Sequence, residues 1–306
     1  MSDYTVIIPA LDAFASIGEV LIGLFSVISQ TNDSEQDIIW DFKNVEEIHP
    51  CFLVALAIYH DSFERKITLD NISAKLNERL QSCRFANPLN LSGAITPKEA
   101  FKDCTTTNLY PICKFARRYE YIDEIQGALY LLVSPTINSR AIGWKPHSKI
   151  AYLMSELICN IQEHSGASHG FITIQCPDSD NAIYICIADN GITIQGSYLR
   201  AAKSALSRLI GSDPAEALKY ATRGISTKDR PDNESRGYGI STNLAMIVNG
   251  LKGSFYVLSG QVFFRSDQWG EQFVNLSDEM NWDGTLICVR IPLKQDRDLN
   301  VYDYIE

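Results

Sequence analysis

Glu156 and Asn160 stand four residues apart in the run Ser155-Glu156-Leu157-Ile158-Cys159-Asn160. On a helix this spacing projects a carboxylate and a carboxamide from one face, one turn above the other. A carboxylate there suits general-base work on water if its pocket tunes its pKa. A neutral carboxamide oxygen beside phosphates and waters suits Mg²⁺, a hard cation that takes oxygen ligands. Further along come Asp189-Asn190-Gly191, then Arg236-Gly237-Tyr238-Gly239, then Gly284-Thr285. Asp189 closes a strongly apolar run, where Asp-Asn-Gly reads equally well as an ordinary turn. Glycines just ahead of the apolar positions Ile240, Leu244, Ile247 and Val248 expose backbone N–H groups and the positive end of a helix dipole to an anion. Arg236 beside them is a further candidate phosphate contact.

These residues need elements to hold them. From Ile150 the apolar positions Leu153, Met154, Leu157, Ile158 and Ile161 form a helical stripe, set off from Glu156 and Asn160 by roughly a third of a turn at about 100° per residue. One face therefore packs on a sheet and the other looks into a groove. Strands are expected at 171–176, 182–188, 254–258, 262–265 and 285–291, with a helix at 240–248. This pattern predicts an α+β sandwich, a mixed and mostly antiparallel sheet with helices on one face. The first third alternates strand-like runs (4–8, 37–42, 66–69) with helix-like ones (17–28, 51–59 behind Pro50), which predicts an α/β layer. Residues 127–134 are apolar enough for strand or helix, and Pro135 is expected to break any long element there. The chain is divided accordingly into 1–120, a connecting segment 121–145, and 146–306.

In that order the C-terminal segments resemble the ATP-binding (Bergerat) fold of gyrases, heat-shock chaperone ATPases, mismatch-repair ATPases and histidine kinases, the GHKL superfamily. The resemblance covers roughly Pro146 to Leu293. It implies that Asn160 holds the Mg²⁺ of bound ATP and that Glu156 polarises the attacking water. It implies that Asp189 accepts the adenine amino group, with Gly191 admitting the base, and that Thr285 bonds the adenine too. Arg236, Gly237, Tyr238 and Gly239 become the phosphate element, and the polar stretch before them, with Arg223, Lys228 and Arg230, an ATP lid. His164, in Glu-His-Ser, also matches a pattern at the end of this helix in anti-sigma kinases and histidine kinases. One departure stands at Thr193, where the family often has a second glycine. A Walker A sequence is absent, which excludes ordinary P-loop binding.

A weaker similarity, from the strand at 37–42 through Val45 to the helix behind Pro50, is to the STAS domain of anti-anti-sigma factors. There a phosphorylatable Ser or Thr sits near the helix start, but this chain reads Ile48-His49-Pro50-Cys51. The combination implies an ATP- and Mg²⁺-binding signalling protein: a slow ATPase whose lid gates a protein partner reached through the STAS-like part. Alternatives are an anti-sigma-type Ser/Thr kinase acting on a separate protein and a catalytically silent ATP sensor. An ATP-dependent homodimer is expected by the same analogy. A histidine kinase would need a phosphoacceptor on a helical pair ahead of the ATP domain, and His49, His60 and His147 offer no such setting.

Composition narrows the field. With 45% hydrophobic and 21% charged residues the chain has a globular make-up. A formal charge of -10 and a pI near 5.0 make a general nucleic-acid binder an unlikely class, since that function leaves a basic footprint. The opening residues lack a signal-peptide pattern, and the apolar stretch at 17–28 is shorter than the roughly 20 residues that span a bilayer. The eight cysteines contain no Cys-x-x-Cys pair, and Cys159, Cys186 and Cys288 lie within apolar runs. They read as small core residues, and the protein as a reduced, cytoplasmic one without a membrane partner.

Overall fold

The computed structural model describes residues 3–91, 96–102, 104, 110–116, 122–177, 179–200, 213–225, 238–296 and 298–304. Its strands β1 (Tyr4–Ile7), β2 (Ile38–Asp41) and β3 (Ile67–Asp70) pair in parallel, in the order β1-β2-β3. Parallel neighbours need crossovers, and α1 (Ile17–Asn32) and α2 (Pro50–Ser62) supply them. A full capping box starts α1: the Ser16 hydroxyl accepts the Glu19 N–H, and the Glu19 carboxylate accepts the Ser16 N–H at 2.8 Å. Pro50 occupies the first turn of α2, behind His49, whose Nδ1 accepts the Cys51 N–H at 3.2 Å. Every residue from Pro50 to Ile58 is buried, as befits a helix enclosed between layers. In α3 (Ala74–Ser82) Leu76 and Leu80 turn inward.

A second sheet contains β4 (Leu89–Asn90), β5 (Cys113–Ala116), β6 (His169–Gln175), β7 (Ala182–Asp189), β8 (Ser254–Gly260), β9 (Val262–Asp267), β10 (Gly270–Asn275) and β11 (Trp282–Pro292). Among the described residues their order is β10-β9-β8-β11-β7-β6-β5-β4, antiparallel at every pair except β4 with β5. The protein is thus a mixed α and β fold with a mostly antiparallel main sheet. β4 and β5 join that sheet from within the first 120 residues of the chain.

All eight residues of β7 are buried, and the period of two divides them between separate cores. Ile183, Ile185 and Ile187 belong to the core beneath the C-terminal helices. Ala182, Tyr184, Cys186 and Ala188 belong to the core shared with α1, α2, Trp40 and Phe42. Helices therefore cover both faces of this sheet, not one as expected, because α1 and α2 of the N-terminal layer pack on its reverse side. α2 lies along β7: the His49 ring meets the Tyr184 ring edge-on at 5.5 Å, and at the other end the Asn190 amide donates to the Ser62 hydroxyl at 3.1 Å. Cys186 and Cys288, directly opposite on β7 and β11, bring their thiols to 3.0 Å, and all eight cysteines are free.

On the other face α5 (Ile122–Arg140) packs against α6 (Pro146–Asn160), after the short α4 (Pro97–Ala100). The expected break at Pro135 does not occur; α5 runs through it. Proline lacks the N–H that would bond the Leu131 carbonyl, and the Ser134 hydroxyl donates to that oxygen instead, at 3.3 Å. Leu131 is exposed, so water also reaches this turn, while burial of Ile125, Leu129, Val133 and Ile137 holds the rest of the helix in place. The remaining described helices are α7 (Ile194–Arg200), α8 (Pro214–Thr222) and α9 (Tyr238–Leu244), the last continuing as a π turn over Ala245–Gly250. Asp213 caps α8, accepting the Ala215 N–H at 2.9 Å ahead of Pro214. No helix among the described residues is long and apolar enough to cross a membrane.

Candidate functional site

The register of two strands founds the site. Asp189 is the Cα partner of Thr285, and Ile187 that of Ile287, so these four side chains share the sheet face toward α6. Asp189 is only 1% exposed. Its Oδ1 accepts the Gly191 N–H at 2.8 Å, and its carbonyl accepts the Trp282 indole N–H at 3.2 Å. Burial pushes its carboxyl up to about 7, although the backbone N–H groups of Gly191 and Thr285 pull the other way. The Ser259 hydroxyl ties the neighbouring elements together: it donates to the Gly284 carbonyl at 3.0 Å, accepts the Ile194 N–H at 2.8 Å and lies 3.1 Å from Thr285 Oγ1.

Opposite the strands stands the end of α6. Its inward stripe, Ile150, Leu153, Met154, Leu157 and Ile158, anchors it on the sheet, which leaves Glu156 and Asn160 half-buried on another flank. The helix then widens into a π turn, Ile161–Ser165, stopped by Gly166 at φ +66. Such turns are frequent at functional sites, and this one carries His164 and Ser165 into the cavity wall. The Ser165 carbonyl accepts the Ile192 N–H and faces Gly191, where a Cβ would fall 2.2 Å from that oxygen. Glycine is therefore required at 191 by the close approach of the π turn. Asn160 meets α9: a Cβ on Gly239 would lie 2.8 Å from Asn160 Oδ1 and 3.2 Å from its Nδ2. The Asn160 Nδ2 is buried and has no hydrogen-bond partner among the described residues.

Asn160, Asp189, Gly239 and Thr285 line one cavity, together with His164, Thr193 and apolar side chains that include Leu157, Ile187, Ile194, Ile240 and Ile287. Apolar walls with a few convergent polar groups are the usual make-up of a small-molecule site. Glu156 sits one turn before Asn160, outside this lining, and Gly191 contributes its backbone to the loop beneath. Tyr238 starts α9, whereas Arg236, Gly237, Lys228 and Arg230 lie outside the described residues. Arg223 is the C-cap residue of α8. Thr193, at the departure from the glycine pattern, accepts the Gly196 N–H at 3.0 Å and so starts α7.

Sequence reasoning missed three contributors. Tyr198 on α7 is buried against the cavity, and its hydroxyl donates to the Ile225 carbonyl, fastening α7 to the end of α8. Ser259 and Trp282 hold the Asp189–Thr285 corner from β8 and β11. Each is a common strand or helix residue whose role comes from tertiary placement, and only the aromatic and hydroxyl types give any local signal.

Two polar groups in this wall could hold a ligand and a metal. Asp189 offers a buried acceptor between apolar walls, and Asn160 offers a carboxamide whose nitrogen is unsatisfied in the fold itself. Among the described residues no cluster of three or more His, Cys, Asp or Glu is suited to a metal, so a metal here would draw its other ligands from phosphate and water. No family model matches this chain, and neither a curated protein nor a solved structure matches it.

Proposed function

We propose that the protein binds ATP with Mg²⁺ in this cavity and is a slow ATPase of the GHKL kind, with a STAS-like N-terminal part that reaches a protein partner. The observation that carries this reading is the convergence of Asn160, Asp189, Gly239 and Thr285, separated by up to 125 positions in the chain, on a single cavity. In support of the N-terminal reading stand the parallel β1-β2-β3 register and the crossover helices α1 and α2.

The residues divide the work. Asp189, when ionised, accepts the exocyclic amino group of adenine, and Thr285 beside it offers a hydroxyl to a neighbouring ring atom. Ile187, Ile194 and Ile287 exclude water from the flat faces of the base. Asn160 Oδ1 would hold Mg²⁺, which when bound neutralises phosphate charge. Glu156, one turn away on α6, is the proposed base that takes a proton from the attacking water.

Calorimetric titration with ATP and Mg²⁺, followed by measurement of phosphate release, tests the reading. Binding in the micromolar range with slow release of phosphate is expected. No heat of binding to wild type would refute it, and label transferred to a second protein in place of free phosphate would identify a kinase.

A further inference from the structure

Asn243 is fully buried, and among the described residues neither its Oδ1 nor its Nδ2 has a hydrogen-bond partner. Folding strips water from both ends of this amide with no compensating bond, a cost that a leucine or valine would avoid. Its neighbours Leu244, Met246 and Ile247 are buried too, so the surroundings would accept an apolar side chain. Such orphan groups are few in native proteins and call for a use.

Position supplies one. Gly239 and Asn243 lie one turn apart on one face of α9, and α9 packs on α6. The Gly239 end of that face rests on the Asn160 carboxamide, with Asn160 Oδ1 at 2.8 Å and Nδ2 at 3.2 Å from where a Cβ would stand. Asn243 thus stands one turn along the helix whose Gly239 end meets Asn160, and the Asn160 Nδ2 is itself buried without a partner among the described residues.

A carboxamide has two ends of nearly equal shape, but only the oxygen ligates a cation. Asn160 therefore needs something that fixes which end faces the ligand. We infer that Asn243 is a positioning residue for Asn160: its Oδ1 accepts the Asn160 Nδ2–H when the metal–nucleotide is bound, directing Asn160 Oδ1 to the metal. This rests on the ATP–Mg²⁺ reading of the cavity and extends it to a residue on a separate helix. Groups that orient metal ligands act in this way in general.

The test uses the full chain, wild type and N243L, with two measurements: thermal melting without ligand, and calorimetric titration with ATP in Mg²⁺ or in excess chelator. N243L should melt at or above the wild-type temperature, because an orphan amide has been replaced by a side chain the core accepts. Its affinity for ATP in chelator should stay at the wild-type value, while the gain in affinity conferred by Mg²⁺ should fall about tenfold. An unchanged Mg²⁺ gain in N243L, or equal losses with and without Mg²⁺, would overturn the inference while leaving the cavity reading intact. A lower melting temperature with an unchanged Mg²⁺ gain would also overturn it, assigning the amide a structural role. Wild type that binds no ATP in either titration overturns both. If N243L does not fold, N243A is read by the same titrations and should show the same selective loss.

Discussion

Gly284 lies against Asp189 so closely that a Cβ would stand 2.3 Å from the Asp189 carbonyl oxygen and 2.7 Å from its Oδ1. The backbone there has φ +100, a conformation that side chains other than glycine's rarely adopt. The buried carboxyl is thus framed on one side by Gly284 and on the other by the Gly191 N–H. Gly284→Ala should cost about 1–3 kcal/mol from backbone conformation alone, plus whatever displacement of Asp189 the clash imposes. Urea unfolding of the variant checks this; a loss smaller than about 0.5 kcal/mol would contradict the packing described.

Asp189 also predicts a pH dependence. An unfolded aspartate titrates near about 3.9, whereas burial raises the folded group to about 7. Between these values the folded chain keeps a proton that the unfolded chain has released. This group's contribution is therefore fully present below about 3.9 and is lost as pH rises through about 7. The stability of wild type minus that of Asp189→Asn should fall between about pH 4 and 8. ATP affinity should move the opposite way in wild type, rising as the carboxylate ionises and becomes a better acceptor for an amino group. Parallel stability–pH curves for wild type and Asp189→Asn would show that the carboxyl does not titrate in this window.

On the proposed ATPase reading, Glu156 would separate hydrolysis from binding. Glu156→Gln should lower turnover by about 10²–10⁴-fold, the usual worth of a positioned base, with ATP affinity nearly unchanged. Asn160→Ala should instead weaken binding of the Mg²⁺ complex. Equal turnover in wild type and Glu156→Gln would leave a pure nucleotide sensor.

The core shared between α2 and the back of the main sheet makes a mechanical prediction. Phe52 is completely buried in it, together with residues of β6, β7, β8, β9 and β11. Phe52→Ala should cost about 3–5 kcal/mol and should lower a single cooperative transition for the whole chain. Two separate melting steps, with only the first displaced, would show that the layers unfold independently.

Much of this was legible in the sequence. The stripe from Ile150 to Ile161 set the orientation of α6, and the apolar run ending at Asp189 marked a strand, although its burial on both faces depends on α1 and α2 and was not legible. Chain segments whose structure depends on distant partners were harder. α5 survives Pro135 because Ser134 repairs the lost hydrogen bond and α6 covers the apolar face, neither of which local propensity shows. β10 is largely exposed, with Phe273 and Val274 only partly buried against the cores, so it offers little periodicity to read. The site was legible at Asn160, Asp189, Gly239 and Thr285, where short motifs mark it. Tyr198, Ser259 and Asn243 gain their meaning only from which helix or strand the fold brings beside them.

The double burial of β7 has a practical corollary. A fragment beginning near residue 146 would keep the whole cavity wall of α6, β7 and β11, yet it would present Tyr184, Cys186, Leu258, Phe263, Leu286 and Cys288 to water as a bare greasy plate. Anyone trimming this chain to isolate the cavity would produce an aggregating species, and would need to graft polar side chains onto that reverse surface before the piece could be handled alone.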